Sequence, residues 1–278
     1  MEETMDVETL LTLPYELQVE TLLLVPYYDL VRFCATSTTA WRICADEDFW
    51  KLKIRRDFGN RYPDTIYVRP LPGDTWKQKY TSYFAKMGTD LMLAAQDGDD
   101  AEVEDILSFG INPHLRKEID TALEIAVESS HFTIVETLLD AGADPNRTTA
   151  LLRASNIDRD DIVQLLLEYG ADVDMQDAIG RTALMVASVQ GHIEMVQFLL
   201  DSGADLHLKS DLGADALIVA ASGGHTDLVR LLLASGANPY VKTDTGHTAL
   251  RFAEFVTGPT SELSYVLRRS LRYPFTLM

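Results

Sequence analysis

The hydrophobic pattern of the last two-thirds of the chain repeats with a nearly fixed period. Apolar residues at three- and four-residue spacing, as in Ile193, Val196 and Leu199, predict amphipathic helices. Each run closes at a glycine, and the glycines are 32, 28, 33 and 33 residues apart: Gly110, Gly142, Gly170, Gly203 and Gly236. A period near 33 predicts stacked helix-turn-helix units that bury their apolar faces against neighbouring units, and such arrays bind macromolecules.

A second landmark lies 21 residues before each glycine and defines the start of a unit. The starts are Thr89, Thr121, Thr149, Thr182 and Asp215, and by extension Thr248. An alanine follows each start by five residues, which lets neighbouring helices pack closely. The unit between Gly142 and Gly170 is five residues short, with residues 144–148 in place of a full loop. We therefore expect a blunted loop there and a notch in the exposed groove.

The landmarks within each unit resemble the ankyrin repeat over residues 89–269. They include the Gly191-His192 turn, the closing Gly203-Ala204-Asp205 and the loop 177–181, although Thr182-Ala183-Leu184-Met185 lacks the family's Pro and His. The resemblance implies an all-α solenoid whose loop fingers and inner helices bind a protein target. On this register the target-binding residues are Lys117, Glu118, Asp120, Glu128, Ser129, Asn156, Ile157, Ala178, Ile179, Arg181, Val189, Gln190, Asp211, Leu212, Ser222, Thr245 and His247.

The first 54 residues lack this period and predict three short helices. Leu13-Pro14-Tyr15-Glu16-Leu17, Trp41-Arg42 and Phe49-Trp50-Lys51 resemble the F-box, a three-helix motif that docks on a Skp-type adaptor and, through it, on cullin. Thr21 departs from the motif. The resemblance assigns five residues to the adaptor-binding surface or its support: Leu13, Pro14, Leu17, Leu22 and Trp50. A plain helical core is the alternative interpretation of the same segment.

Residues 55–88 predict a connector between an F-box at 8–54 and the ankyrin repeat domain at 89–278. Asp74 or Thr75 is placed to cap a helix. The aromatic side of that helix, formed by Trp76, Tyr80, Tyr83 and Phe84, is expected to pack onto the first ankyrin unit.

Charge is concentrated in the repeats. The net charge of the chain is -19, of which -2 lies in residues 1–88 and -17 in residues 89–278. Such a field repels nucleic acid and anionic membranes and favours a basic protein target. The alternative interpretation is that the charge keeps a long solenoid soluble. The basic residues Lys51, Lys53, Arg55 and Arg56 are expected to form a solvated face. No apolar stretch is long enough to span a membrane.

Signatures of catalysis are missing from the sequence. It has no nucleotide-binding glycine motif, metalloprotease motif or nucleophile elbow, so we expect no catalytic residue, no metal ligand and no cofactor. His131, His192 and His225 share one register and are expected to bond backbone in the turns. Cys34 and Cys44 are expected to be free thiols of a cytoplasmic or nuclear protein, or of the host cell if the protein is viral.

Two functions fit these observations. The first is a substrate receptor of a Skp/cullin/F-box ubiquitin ligase that holds a target in its ankyrin groove. The second is a ubiquitin-independent scaffold or inhibitor, with a viral host-interaction factor as one form of it.

Overall fold

The computed structural model describes residues 15–25, 30, 43–58, 75–108 and 115–272. Throughout these residues the chain forms helices and turns and no strand, which confirms the predicted all-α fold there. The chain divides into two compact units, Met1–Ala122 and Leu123–Met278. Leu13, Pro14 and the motif residues around Trp41 lie outside the described residues.

The first unit contains α1 (Tyr15–Leu24), α2 (Glu47–Phe58), α3 (Trp76–Asp97), α4 (Asp100–Ser108) and the first residues of α5 (Arg116–Glu128). Helix α2 begins with Glu47 and Asp48 and ends with Arg55 and Arg56. This placement of charge complements the helix dipole at both ends.

Lys53 of α2 holds the end of α1. Its ammonium donates to the carbonyl oxygens of Leu23 and Val25, at 2.8 Å each, and pairs with Asp57 at 2.9 Å. The Leu23 carbonyl belongs to the last turn of α1 and the Val25 carbonyl follows it, and backbone acceptors at a helix end lack partners inside the helix. Burial lowers the pKa of Lys53, although Asp57 opposes the shift. The expectation of a solvated face is therefore wrong for Lys53, which is 2% exposed.

The amino end of α3 packs on α2 through aromatic rings. Thr75, one of the two predicted caps, caps α3 in a capping box. Its side chain accepts from the Gln78 amide, and the Gln78 side chain accepts from the Thr75 amide. Phe58 stacks on Tyr83 with ring centroids 4.9 Å apart, and Trp50 lies 5.2 Å from Tyr80. The aromatic side thus packs on α2, a contact that the sequence analysis did not predict.

Helix α3 runs through the predicted boundary between residues 88 and 89. Gly88 does not end it, and a side chain there would collide with Glu118, whose Cγ would lie 2.4 Å from an added Cβ. The helix ends at Gly98, where φ is +79° and a left-handed cap is formed. Thr89 consequently lies inside α3, and Thr121 lies inside α5, so neither begins a helix.

Cys44 is disulfide-bonded, so the prediction of two free thiols is wrong. Spacing in sequence argued against a metal site. It could not decide between a thiol and a bridge, which depends on how closely two side chains approach in space.

The second unit continues from α5 as pairs of short helices. They are α6 (Phe132–Asp140), α7 (Ala150–Asn156), α8 (Asp160–Glu168), α9 (Ala183–Gln190), α10 (Ile193–Asp201), α11 (Ala216–Gly223), α12 (Thr226–Ala234), α13 (Ala249–Val256) and α14 (Glu262–Arg272).

The first helices of successive pairs stack through small residues. Ala154, Ala187, Ala220 and Ala253 recur every 33 residues and are all fully buried. Close packing at these positions was predicted from the alanine five residues after each unit start. The second helix of each pair buries leucines such as Leu166 and Leu199, both 0% exposed. The repeats therefore share one core design.

Candidate target-binding groove

Three loops of the second unit share one hydrogen-bonded turn, and we call them fingers 1, 2 and 3: residues 177–181, 210–214 and 243–247. In finger 1 the Asp177 amide donates to the Arg181 carbonyl at 3.0 Å, and the Gly180 amide donates to the Asp177 carbonyl at 3.0 Å. Fingers 2 and 3 repeat both bonds. Each has glycine in fourth place with positive φ, as at Gly180 with +75°, because a left-handed residue closes the turn.

Neighbouring fingers are joined by one backbone hydrogen bond. The Asp211 amide of finger 2 donates to the Ile179 carbonyl of finger 1 at 3.1 Å, and the Asp244 amide of finger 3 donates to the Leu212 carbonyl of finger 2 at 3.1 Å. In each case the amide of the second residue of a finger donates to the carbonyl of the third residue of the preceding finger. We call this series of hydrogen bonds the ladder.

The short repeat has no finger. A 3-10 turn, Pro145–Arg147, replaces it and is capped by Asp144. Helix α7 then begins without a side-chain cap from Thr149. Instead the Glu124 carboxylate accepts from the Thr149 amide at 2.6 Å and from its hydroxyl at 2.8 Å. The predicted blunted loop is confirmed, and Glu124 ties the start of α7 to α5 through the amide and hydroxyl of Thr149.

A cavity of about 550 Å³ lies where this finger is missing, and we call it the notch. Its lining joins finger 1 to the ends of α5, α7 and α9: Glu128, Thr149, Leu152, Arg153, Asn156, Ile157, Asp177, Ala178, Ile179, Arg181 and Val186. Six of the predicted target-binding residues meet there, all with exposed or half-exposed side chains. The notch in the groove was expected from the five-residue deletion, whereas its lining was not.

The charges that line the notch pair with each other. Arg153 is paired with Glu128 and lies 3.6 Å from Glu124, while Arg181 pairs with Asp177 at 2.8 Å. Burial alone would raise the pKa of Asp177, but hydrogen bonds from the backbone and guanidinium of Arg181 and from Ile179 outweigh it and lower the pKa. Two acidic and two basic side chains thus leave the lining without net charge.

The floor of the groove follows the first helices at 33-residue spacing through Asn156, Val189, Ser222 and Phe255. Gln190 donates its side-chain amide to the Asn156 side chain at 2.8 Å, so the floor is polar near the notch. At the other end Phe255 is 88% exposed. Sequence reasoning missed Phe255 and its exposed neighbour Val256, although the 33-residue period from Val189 points to Phe255 directly.

Most predicted target-binding residues are accessible in the structure. Ile179 and Leu212 are 53% and 74% exposed at the tips of fingers 1 and 2, and Val189 is 40% exposed. Asp211, His247 and Thr245 also lie exposed on fingers, and Ser222 and Ser129 are half-buried.

The assignment of Lys117, Glu118 and Asp120 to a finger is wrong. These residues lie in the first turns of α5, which begins at Arg116. Asp120 is 8% exposed and therefore cannot present its carboxylate to a target. The prediction assumed that the spacing of the later units also holds here. The helix instead starts at Arg116, before the predicted unit start at Thr121, so residues 116–120 form no turn of the finger type.

Two of the histidines bond the backbone of the preceding repeat, as predicted. His192 Nε2 lies 3.1 Å from the Asn156 carbonyl, and His225 Nε2 lies 2.9 Å from the Val189 carbonyl. In the short repeat Arg159 takes this register and donates to the Ser130 carbonyl at 3.0 Å. Its guanidinium also makes the hydrogen bonds that lower the pKa of Asp161. Sequence reasoning missed this arginine.

The residues predicted to bind an adaptor fall into two groups. Leu22 and Trp50 are buried in the first unit, each 1% exposed, and therefore present no surface to a partner. The Trp50 indole donates to the Cys44 carbonyl at 2.9 Å, which fixes it inside the unit. Two leucines that sequence reasoning missed, Leu24 and Leu52, are 65% and 48% exposed. Leu13 and Pro14 lie outside the described residues, as does the side chain of Leu17.

In the described part of the chain, no helix combines the length and apolar character needed to cross a membrane. Within the same residues, no group of three or more His, Cys, Asp or Glu side chains is arranged to hold a metal ion.

Comparison with known families identifies the repeats. A family model described as three copies of ankyrin repeats matches residues 145–210, and a single ankyrin repeat matches residues 120–150 and 212–244. The region between residues 120 and 244 therefore consists of ankyrin repeats, arrays that serve protein-protein interaction. This confirms the predicted repeat type over most of the second unit.

Curated relatives share part of the chain. An E3 ubiquitin-protein ligase, XBAT33 of Arabidopsis thaliana, is 36% identical over 113 residues, which is 37% of this chain and 22% of the relative. The probable E3 ubiquitin-protein ligase XBOS33 of Oryza sativa subsp. japonica is 34% identical over 112 residues, 36% of this chain and 21% of the relative. Glycerophosphocholine phosphodiesterase gde1 of Schizosaccharomyces pombe is 37% identical over 111 residues, 36% of this chain and 10% of the relative.

The matched region thus spans only about a tenth to a fifth of the length of these relatives. These relatives differ in activity, since two are named ubiquitin ligases and one a phosphodiesterase. The similarity accordingly supports a shared binding module and does not fix an activity for this chain.

Proposed function

We propose that this protein is the substrate receptor of a Skp/cullin/F-box ubiquitin ligase. The observation that carries the proposal is the union, in one chain, of an ankyrin groove with an amino-terminal helical segment that follows no repeat and opens with the Leu13-Pro14 pattern. Two plant relatives add support, because one is named an E3 ubiquitin-protein ligase and the other a probable one.

The adaptor surface would be formed by the exposed leucines of α1 and α2. Lys53 bonds the carbonyls on both sides of Leu24, so the end of α1 is held beside α2 near Leu52. Burying a leucine of this exposure against an adaptor would contribute about 1.5–3 kcal/mol before ordering costs. Leu22 and Trp50 would hold that surface in shape from the interior.

The chain itself would perform no chemistry. Its groove would hold a target protein near the ubiquitin-carrying enzyme that the cullin positions, so the acceleration would come from proximity and orientation. Ubiquitin transfer would belong to the partner subunits, in the cytoplasm or nucleus.

Binding of the full-length chain to a purified Skp-type adaptor tests this function. The double variant Leu24→Asp, Leu52→Asp should weaken binding more than tenfold, because two desolvated apolar contacts become buried charges. Leu93→Asp is the matched control, since Leu93 lies on α3 and is 52% exposed; it should bind like the wild type. A wild-type chain that shows no binding at micromolar adaptor would exclude the proposal.

One observation favours the second candidate, a ligase-independent scaffold or inhibitor. The rings of α2 pack tightly on α3, as in the Phe58 and Tyr83 stack, and α3 then pairs with α4. The amino-terminal helices would in that case serve only to cap the array. Target capture without adaptor binding would identify this function.

A further inference from the structure

The ladder of hydrogen bonds between fingers stops at finger 1, because the short repeat before it has no finger. Asp211 and Asp244, the second residues of fingers 2 and 3, donate their amides to the finger before them, at 3.1 Å in each case. Ala178 is the second residue of finger 1, and the repeat before it has no finger. Among the described residues, no acceptor is found for the Ala178 amide. Ala178 is exposed and lines the notch.

We propose that an extended segment of a protein target occupies the notch and takes the place of the missing finger. A backbone carbonyl of this segment would accept from the Ala178 amide, as the Ile179 carbonyl accepts from Asp211. This inference rests on the proposed function of the groove and names the form of the target that the groove recognises.

The lining indicates which side chain would accompany that carbonyl. Ile157 and Ile179 present apolar surface to the cavity, and the four charged groups of the lining are already paired with each other. An unpaired charge buried there would lose hydration without gaining a free partner. The segment would therefore insert an apolar side chain between these two isoleucines.

The residues that flank the inserted side chain would be basic. Residues 89–278 carry a net charge of -17, so the surface around the notch lies in an acidic field that attracts basic residues. Long-range attraction of this kind raises the association rate and is weakened by salt. An apolar anchor within a basic, extended segment is the pattern that fits both the cavity and its surroundings.

The probe for this inference is a phage-displayed library of random linear peptides, selected on the full-length chain. Selected peptides should share an apolar residue flanked by Lys or Arg. Their affinity is then measured for the wild type and for Ala178→Pro, which removes the amide at the second position of a turn, where proline is favoured. Loss of that one hydrogen bond should weaken binding about fivefold. Ala178→Ser keeps the amide and should bind like the wild type.

A second pair of variants keeps the test independent of the fold of Ala178→Pro. Ile179→Asp changes an exposed residue of the notch and should weaken binding more than tenfold. Leu212→Asp makes the same change at the equivalent position of finger 2 and should weaken binding less than Ile179→Asp does. Leu93→Asp, on α3 and 52% exposed, is the matched control and should leave peptide binding unchanged. Protection of the Ala178 amide from hydrogen exchange on peptide binding is the direct readout.

Three outcomes would overturn the inference: no peptide selected, peptides unaffected by both Ala178→Pro and Ile179→Asp, or peptides that depend on Leu212 alone. The last outcome would leave the groove as a binding site. Adaptor binding is measured on the same variants and should be unchanged. A wild type that binds notch peptides but no adaptor would instead remove the proposed ligase function and leave this inference standing.

Discussion

The short repeat and the two regular repeats that follow it share a core but differ in the loop before the first helix, in the cap of that helix and in the residue at the histidine register. Helices α7 and α8 pack as α9 and α10 do, with Ala154 matching Ala187 and Leu166 matching Leu199, all 0% exposed. The loop before α7 lacks a finger, whereas the loop before α9 has one. Helix pair and finger are thus separable parts, because the pair is held by apolar burial and the finger by local hydrogen bonds. A five-residue deletion changed the binding surface and spared the core.

The largest expected effect tests whether a buried leucine contributes the same stability in the short repeat as in a regular repeat. Leu166→Ala and Leu199→Ala each remove a fully buried side chain at the same register and should each cost about 2–5 kcal/mol in the free energy of unfolding. Urea unfolding of the two variants measures this. A cost for Leu166→Ala of less than half that for Leu199→Ala would show that the deletion loosened the core of the short repeat.

The next effect compares how the two kinds of repeat start their first helix. Glu124→Ala removes a charged acceptor from both the amide and hydroxyl of Thr149 and should cost about 1.5–3 kcal/mol. Thr182→Ala removes an ordinary cap, which accepts from Met185 at 3.3 Å, and should cost about 1 kcal/mol. Thermal or urea unfolding of the two variants measures both losses. A smaller loss of unfolding free energy for Glu124→Ala than for Thr182→Ala would contradict the role of Glu124 in holding the start of α7.

A loop graft should convert the short repeat into a regular one. Residues 143–148 would be replaced by residues 204–214, which include finger 2. The new finger should accept from the Ala178 amide and slow its hydrogen exchange about fivefold, as expected for one hydrogen bond of about 1 kcal/mol. A flexible glycine-serine loop of the same length is the control. Unchanged exchange in the grafted chain would show that finger 1 cannot receive a partner from that side.

The smallest effect concerns the cap of α11. Burial raises the pKa of Asp215 above its usual 3.8, although the Ile218 amide opposes the shift. Because the folded state then binds the proton more tightly than the unfolded chain, stability falls as pH rises through the interval between the two pKa values and stays lower above it. Asp215→Thr keeps an acceptor without the charge.

This variant should therefore gain stability relative to wild type at neutral pH and lose that advantage in acid. Unfolding measured across pH checks it, with Thr182→Ser as a control that adds no titrating group. An advantage for Asp215→Thr that grows in acid would contradict the assignment.

Sequence periodicity predicted the regular repeats closely and the ends of the array poorly. The alanines, the short loop and the histidine contacts of His192 and His225 follow from local pattern, because each depends on residues at fixed spacing. Thr89 and Thr121 were misplaced because helix ends depend on caps, and α3 continues until Gly98. The residues that line the notch could not be predicted from periodicity either, because the cavity results from an absent loop and from ion pairs between repeats. Arg153 shows this, because its partners lie on α5.

Lys53 gives the amino-terminal segment a built-in chemical reporter. Its amine is enclosed, with 3% of the side chain exposed, whereas Lys51 two residues earlier is 46% exposed. An acylating reagent should label Lys51 quickly and spare Lys53 for as long as α1 stays docked. The ratio of the two labels, read by mass spectrometry, would register detachment of α1 when a partner is added.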